Sequence, residues 1–319
     1  MGRGMTAPGV RLPLEVRAAL ARLVERLQSD AAHVSGLAQA GDAPVGGHAD
    51  ALSAWLYASW YLALPQPDPV EPSGRWRTDL SSALRAALPS GARWLDGWVV
   101  LERRHDGQCV VARRGAARVV RPGEYVNRAR PGVPAMPGDA VAVTSCLDGV
   151  DKASGFWTTR SDADLAAPLV RVHWSVPPSS LPLVVARVAV LLDALAIAYS
   201  LKTPATVDGC ARIDTLVVYV SATDWPRLDA PVTTLARALG PHLRPWHPPL
   251  ARPLAPGAAF AEDPGEESFG QRRCRILAGG VRELLAGAPV GAGDAIDHLA
   301  RCLQAARIDP ERPWLNDAG

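Results

Sequence analysis

The segments PLVRVHWSV (168–176), PLVVARVAVLLDALA (182–196), IAYSLKT (197–203) and RIDTLVVYVS (212–221) decide the fold. The first, third and fourth are short, rich in β-branched and aromatic residues and bounded by polar or proline breaks, which predicts strands. The second is strongly apolar and too long for a strand, which predicts a helix. WPRLDAPVTTLARAL (225–239) continues the alternation with another helix. Residues 240–265 carry Pro241, Pro245, Pro248, Pro249, Pro253, Pro256 and Pro264, and read as an irregular crossing loop. Loops this long inside a compact domain are usually functional. Two helices, at about 268–287 and 293–307, complete a pattern of helices packed on a mixed sheet.

Upstream the periodicity differs. Leu12, Val16, Leu20, Leu23, Val24 and Leu27 recur at helical spacing, and a second helix is expected over 49–64 with Leu52, Trp55, Leu56 and Trp60 inward. Its aromatic cluster WLYASWY reads as core. Prolines 65, 67, 69 and 72 predict a stiff linker, and a short helix is expected at 78–88. WVVLERR (98–104), QCVVARR (108–114), ARVVRP (117–122) and DAVAVTS (139–145) are β-prone and separated by turn pairs such as Asp106-Gly107. The expected class is α+β: N-terminal helices over 1–92, a small antiparallel β meander over 93–149, and a C-terminal mixed sheet flanked by helices over 150–319.

The chain has 319 residues and 48% apolar content, enough for a substantial core. A net charge of +2 gives no bulk electrostatic argument for nucleic acid or membrane. Only Lys152 and Lys202 are lysines among 34 basic residues, so chemistry that needs an amine has two side-chain candidates. The cysteines at 109, 146, 210, 274 and 302 form no CxxC pair and predict neither a zinc site nor a disulfide framework. His33, His48, His105, His242, His247 and His298 show no ligand spacing, so no metal is assigned. With no signal-like or membrane-spanning run, a cytoplasmic protein is expected.

Within LAPGAAFAEDPGEESFGQRRCRILA (254–278), Ser268 and Gln271 have the S-x-x-Q spacing of a capping box, which places a helix start at Phe269. A helix N-terminus with Arg272, Arg273 and Arg275 close behind can hold a phosphate, although a plain capped helix with solvated arginines satisfies the same spacing.

SLKTP (200–204), RIDTLVVYV (212–220) and RPLAPGAAFAEDPGEESFGQRRCRILA (252–278), in that order, resemble the HopA1 family. GWVVLERRHDGQCVVARRGAARVV (97–120) and LYASWY (56–61) are weaker matches to it. Two positions depart from the expected pattern: HWS (173–175) replaces a tyrosine-containing strand end, and Glu267 stands where a glycine is expected. The family includes type III secretion effectors and standalone proteins from gene clusters for class V lanthipeptides and thioamitide-type peptides. In such clusters the resemblance implies the lyase half of a split dehydratase. An aminoglycoside-phosphotransferase-like kinase, expected as a heterodimer partner, phosphorylates Ser or Thr of a precursor peptide. The HopA1-like chain then eliminates phosphate, with no cofactor, to leave dehydroalanine or dehydrobutyrine.

Such an elimination needs a base for the α-proton, donors for the developing enolate, cations for the phosphate and an acid for the leaving oxygen. Lys202, at the end of an apolar strand, is the expected base, provided that burial and neighbouring arginines lower its pKa. His173 is the expected acid, with Tyr219 as substitute. Arg212, Arg272, Arg273 and Arg171 are the candidate phosphate clamps, because a planar fork meets two oxygens at once. Asp214, Glu262, Asp263, Ser268, Phe269 and Gly270 are expected to shape the pocket. Two further readings stand beside this one: a non-catalytic subunit that holds the phosphopeptide or activates the kinase, and a HopA1-like effector.

Overall fold

The computed structural model describes residues 10–40, 43–45, 48–66, 79–88, 94–113, 115–144, 148–151, 153–161 and 163–316. Lys152, Cys146 and most of the proline-rich stretch 65–74 lie outside the described residues. The chain opens with α1 (Leu14–Ser29), α2 (Ala31–Gln39) and α3 (Ala51–Leu56), which continues into a π-helical turn at Tyr57–Tyr61. The next helix is α4 (Ser81–Ala87). Asp50 caps α3 by accepting a hydrogen bond from the Ser53 amide, so the helix starts at Ala51.

The expected meander is present. It comprises β1 (Trp94–Arg103), β2 (Cys109–Arg113), β3 (Ala116–Val120), β4 (Tyr125–Val126) and β5 (Ala140–Thr144), in the order β3-β2-β1-β5-β4 with antiparallel neighbours. Gly107, at φ +82°, makes the tight turn between β1 and β2 that its Asp-Gly pair predicts. Trp98, Val100, Val111 and Val143 form this sheet's own small core.

The larger sheet contains β6 (Gly149–Asp151), β7 (Phe156–Arg160), β8 (Leu169–Trp174), β9 (Tyr199–Pro204), β10 (Leu216–Ser221), β11 (Arg252–Ala255) and β12 (Ala258–Glu262), in the order β11-β12-β8-β10-β9-β7-β6. All six neighbour pairs are antiparallel, whereas the alternation of strands and helices predicts a mixed sheet. The reason is topological. The helix α5 (Leu181–Ala194) carries the chain from β8 to β9, and these two strands do run parallel, but β10 inserts between them antiparallel to both.

The stretch 240–265 is also more ordered than a crossing loop, since β11 and β12 form a hairpin within it. Pro256 and Gly257, the latter at φ +80°, supply the turn between the two strands. Pro253 is tolerated because β11 is the edge strand of the sheet.

One face of this sheet carries Val170, Val172, Trp174, Leu201, Val218 and Phe260 against α5 and α6 (Trp225–Ala238), and this is the main core. The other face meets a second core, in which α1, α3 and the π-turn share buried side chains with α7 (Phe269–Ala286) and α8 (Ala292–Ala305). Ala259 and Ala261 of β12 join it from the sheet. The N-terminal helices therefore pack on the last two helices of the chain. Beyond the reach of that second core, towards β9 and β7, the same sheet face turns polar.

Candidate functional site

Strand register sets the frame of the polar face. Val217 pairs with His173 on one side and Lys202 on the other, and Lys202 pairs with Thr158. One row across the sheet thus reads His173, Val217, Lys202, Thr158. The next row reads Arg171, Tyr219, Ser200, Arg160. Lys202 and His173 are two strands apart, or about 10 Å across the sheet at the usual strand spacing.

Around these rows the fold gathers charge. Arg171 donates to Asp263 at 2.9 Å, and its guanidinium lies 5.0 Å from the Tyr219 ring centroid. Arg212 donates to Asp214 at 2.6 Å and stacks 5.2 Å from the Phe156 ring. The Lys202 ammonium sits 4.2 Å from the centroid of that same ring and forms no ion pair among the described residues. Burial lowers the Lys202 pKa from its ordinary value, and the nearby Arg212 and Arg171 lower it further. Burial opposes charge on Arg212 too, but Asp214 outweighs it and holds the guanidinium firmly protonated.

The loop carrying Arg212 and Asp214 is held from beneath. Arg244 is buried and donates to the carbonyls of Arg212 and Cys210 at 3.2 and 3.1 Å. The Ile213 amide donates to the Leu62 carbonyl, which ties the loop to the end of the π-turn. Arg244 lies in the proline-studded stretch, where no motif in the sequence singles it out.

The π-turn brings two tyrosines whose aromatic-rich segment reads, from sequence, as core. Tyr57 and Tyr61 stack at 5.4 Å, and the Tyr57 hydroxyl lies 3.5 Å from Arg212. Burial pushes the Tyr57 phenol up to about 12, so it is a neutral hydrogen-bonding group. Tyr61 is fully buried and its hydroxyl has no partner among the described residues. The i, i+4 spacing of the pair is the signal that places both rings on one face.

The capping box at the start of α7 is formed as its spacing predicts. The Gln271 amide donates to Ser268 Oγ at 3.1 Å, and the Ser268 amide donates to Gln271 Oε1 at 3.0 Å. Phe269 is buried between Tyr61 and His173. Gly270 is required by contact, because a Cβ there would lie 2.3–2.6 Å from carbons of the Tyr61 ring. Gly270→Ala is expected to cost about 1–3 kcal/mol net, as overpacking outweighs the better helix propensity of alanine. Urea unfolding monitored by fluorescence measures this.

Three expectations need revision. Arg273 is fully buried and donates to the Pro313 carbonyl from Nε and Nη2 and to the Leu315 carbonyl from Nη2. It latches the C-terminal segment rather than offering a fork to phosphate, and burial drops its pKa to about 9. Glu262 serves the same segment, accepting from the Asn316 amide at 2.8 Å. His173 is 1% exposed, both ring nitrogens lack partners among the described residues, and burial lowers its pKa to about 4. It is therefore a neutral imidazole near pH 7, unable to act as an imidazolium acid. Arg272, half-buried in the first turn of α7, is unpaired with any carboxylate among the described residues. Lys202, Arg171, Arg212, Asp214, Asp263, Tyr219, Ser268, Phe269 and Gly270 do converge on this face.

The depressed pKa of His173 has a consequence for stability. Between pH 6.5 and about 4 the unfolded chain binds a proton at this residue that the folded chain refuses. Stability therefore falls as pH drops through that window, by up to about 3 kcal/mol below it. His173→Phe is expected to flatten this limb in urea titrations between pH 4 and 7.

A profile of the HopA1 effector protein family matches residues 156–315. The chain belongs to the HopA1 effector protein family. Two solved structures are similar over nearly the whole chain. The effector protein from Pseudomonas syringae pv. syringae strain 61 has a TM-score of 0.51 and 14% identity, covering 96% of this chain and 100% of its own. The effector protein from Pseudomonas syringae pv. tomato strain DC3000 has a TM-score of 0.50 and 14% identity, covering 92% and 100%. At that identity the likeness shows the fold. No curated protein matches the chain. The HopA1 match begins at Phe156, the ring shared by Lys202 and Arg212, and takes in the capped start of α7. The tyrosine pair reaches this HopA1-family site from outside the matched span. No described helix is long and apolar enough to cross a membrane.

Proposed function

We propose that this chain is a lyase that eliminates phosphate from phosphoserine or phosphothreonine of a ribosomally made precursor peptide, after a separate kinase has placed it there. The observation that carries the reading is the setting of Lys202. It is an amine on a sheet face, over an aromatic ring, whose pKa burial and then Arg212 and Arg171 lower against the opposing pull of Asp214 and Asp151, with no carboxylate in ion-pair contact among the described residues. A base needs a neutral fraction near pH 7, and a lowered pKa raises that fraction.

In this reaction the Lys202 amine takes the Cα proton. The electron pair forms the Cα–Cβ double bond, the Cβ–O bond breaks, and phosphate leaves with that bond's electrons. Arg212 and Arg171, each already paired with a carboxylate, would share their forks with the phosphate. Neutral Tyr57 is a donor within the cluster for a developing oxyanion or the leaving oxygen. The test is mass spectrometric. A phosphorylated precursor peptide incubated with the protein is expected to lose phosphoric acid. A phosphopeptide that persists unchanged, with the kinase also present, overturns the reading.

A further inference from the structure

The outer surface where α7 meets α8 carries a cluster that plays no part in the site above. Glu283 projects from α7, and His298 and Cys302, one helical turn apart, project from α8. One ligand atom from each lies within 4.8 Å of the other two. His298 Nε2 stands 3.2 Å from Glu283 Oε2 and 3.6 Å from Cys302 Sγ.

These separations match a tetrahedral zinc ion. With Zn–S of about 2.3 Å and Zn–N and Zn–O of about 2.0–2.1 Å, tetrahedral angles place sulfur and nitrogen about 3.6 Å apart and nitrogen and oxygen about 3.3 Å apart. The nitrogen–oxygen and nitrogen–sulfur separations agree within about 0.2 Å, and the sulfur–oxygen pair lies within 4.8 Å. The donor set of thiolate, imidazole and carboxylate suits zinc better than a hard cation such as magnesium.

The packing beneath supports the same reading. A Cβ on Gly280 would lie 2.7 Å from Cys302 Sγ. The glycine costs about 1 kcal/mol of helix propensity in mid-helix, and in return it lets the thiol approach α7. His298 Nε2 lies 3.2 Å from the Gly280 carbonyl, to which it can only donate, so metal binding would have to replace that hydrogen bond and move the proton to Nδ1. Sequence spacing does not reveal the cluster, because Glu283 reaches it from the other helix.

We propose that Glu283, His298 and Cys302 bind one zinc(II) ion that pins α7 to α8, with a water completing the tetrahedron. On binding, the Cys302 thiol releases its proton to solvent and the imidazole carries its proton on Nδ1, leaving Nε2 free to ligate.

Cobalt(II) is the probe, because a thiolate ligand gives it a near-ultraviolet charge-transfer band. The full-length protein, stripped with a chelator, is expected to take up one equivalent of cobalt with that band, and zinc is expected to displace it. Cys302→Ser is expected to abolish the band. Glu283 is exposed, so Glu283→Gln is expected to fold normally yet weaken cobalt binding by about tenfold or more, since even outer-shell partners are worth 10–100-fold. Wild-type protein that shows no band overturns the proposal. A band that survives Cys302→Ser, or an affinity unchanged in Glu283→Gln, overturns it equally.

Discussion

Lys202→Ala is expected to lower the rate of phosphate loss from a phosphopeptide by about 10²–10⁴-fold, the usual worth of a positioned general base. Lys202→Arg is the sharper variant. It keeps the positive charge near Phe156 but has no proton to give up in the accessible pH range. If Lys202 works by charge alone, arginine preserves function; if it is the base, arginine is as inactive as alanine. The pH dependence carries an independent signature. Burial and the two arginines disfavour the ammonium form, so its pKa lies below the ordinary lysine value. The elimination rate should therefore climb with pH as the amine is freed, and level off below the pH at which an ordinary lysine deprotonates. Single-turnover assays across the pH range measure this. A rate that stays flat while Lys202→Ala remains active would remove lysine from the mechanism.

Arg171→Leu is expected to destabilise the fold by about 3–5 kcal/mol, because it leaves a buried carboxylate without its cation. The two side chains are 10% and 8% exposed, so water does little to replace the lost partner. Asp263 would retain its hydrogen bond from the Gly265 amide, which offsets part of the loss. Pairing the change with Asp263→Leu is expected to recover much of the stability, since the cost lies in the orphaned charge. Thermal melts of the two single variants and the double variant decide it. Equal destabilisation in all three would mean that packing, not charge, dominates at this position.

Much of the architecture is legible in the sequence because local signals are unambiguous. β-Branched runs mark β8 and β10, strongly apolar character marks α5, and the Ser268–Gln271 spacing marks the start of α7 to the residue. The hairpin of β11 and β12 is hidden because seven prolines over 240–265 drown the one informative pair, Pro256-Gly257. The sense of the sheet is hidden for a different reason. Alternation of strand and helix gives the order of elements along the chain, but not their order across the sheet, where β10 inserts between β8 and β9. At the site, Lys202, Arg171, Arg212 and Asp263 can be picked out as chemistry-bearing residues. That Arg273 belongs to the C-terminal segment cannot, since its partners Pro313 and Leu315 are backbone carbonyls, which any residue offers. Tyr57 and Tyr61 hide in a segment whose aromatic richness has a sufficient explanation in packing alone.

The shared core of the first and last helices bears on how the chain matures at the ribosome. Chains emerge from their N-terminus at about 5–20 residues per second. When Ser221 has been made, Lys202, Arg212 and Tyr57 already exist, but Asp263, Ser268 and Phe269 do not. Until Asp263 emerges Arg171 lacks that carboxylate partner, and until α7 follows Tyr61 has no Gly270 to rest on. Translation therefore leaves the amine and its arginines unassembled until the final helices close over the sheet, so nascent chains do not carry the finished cluster while still being made.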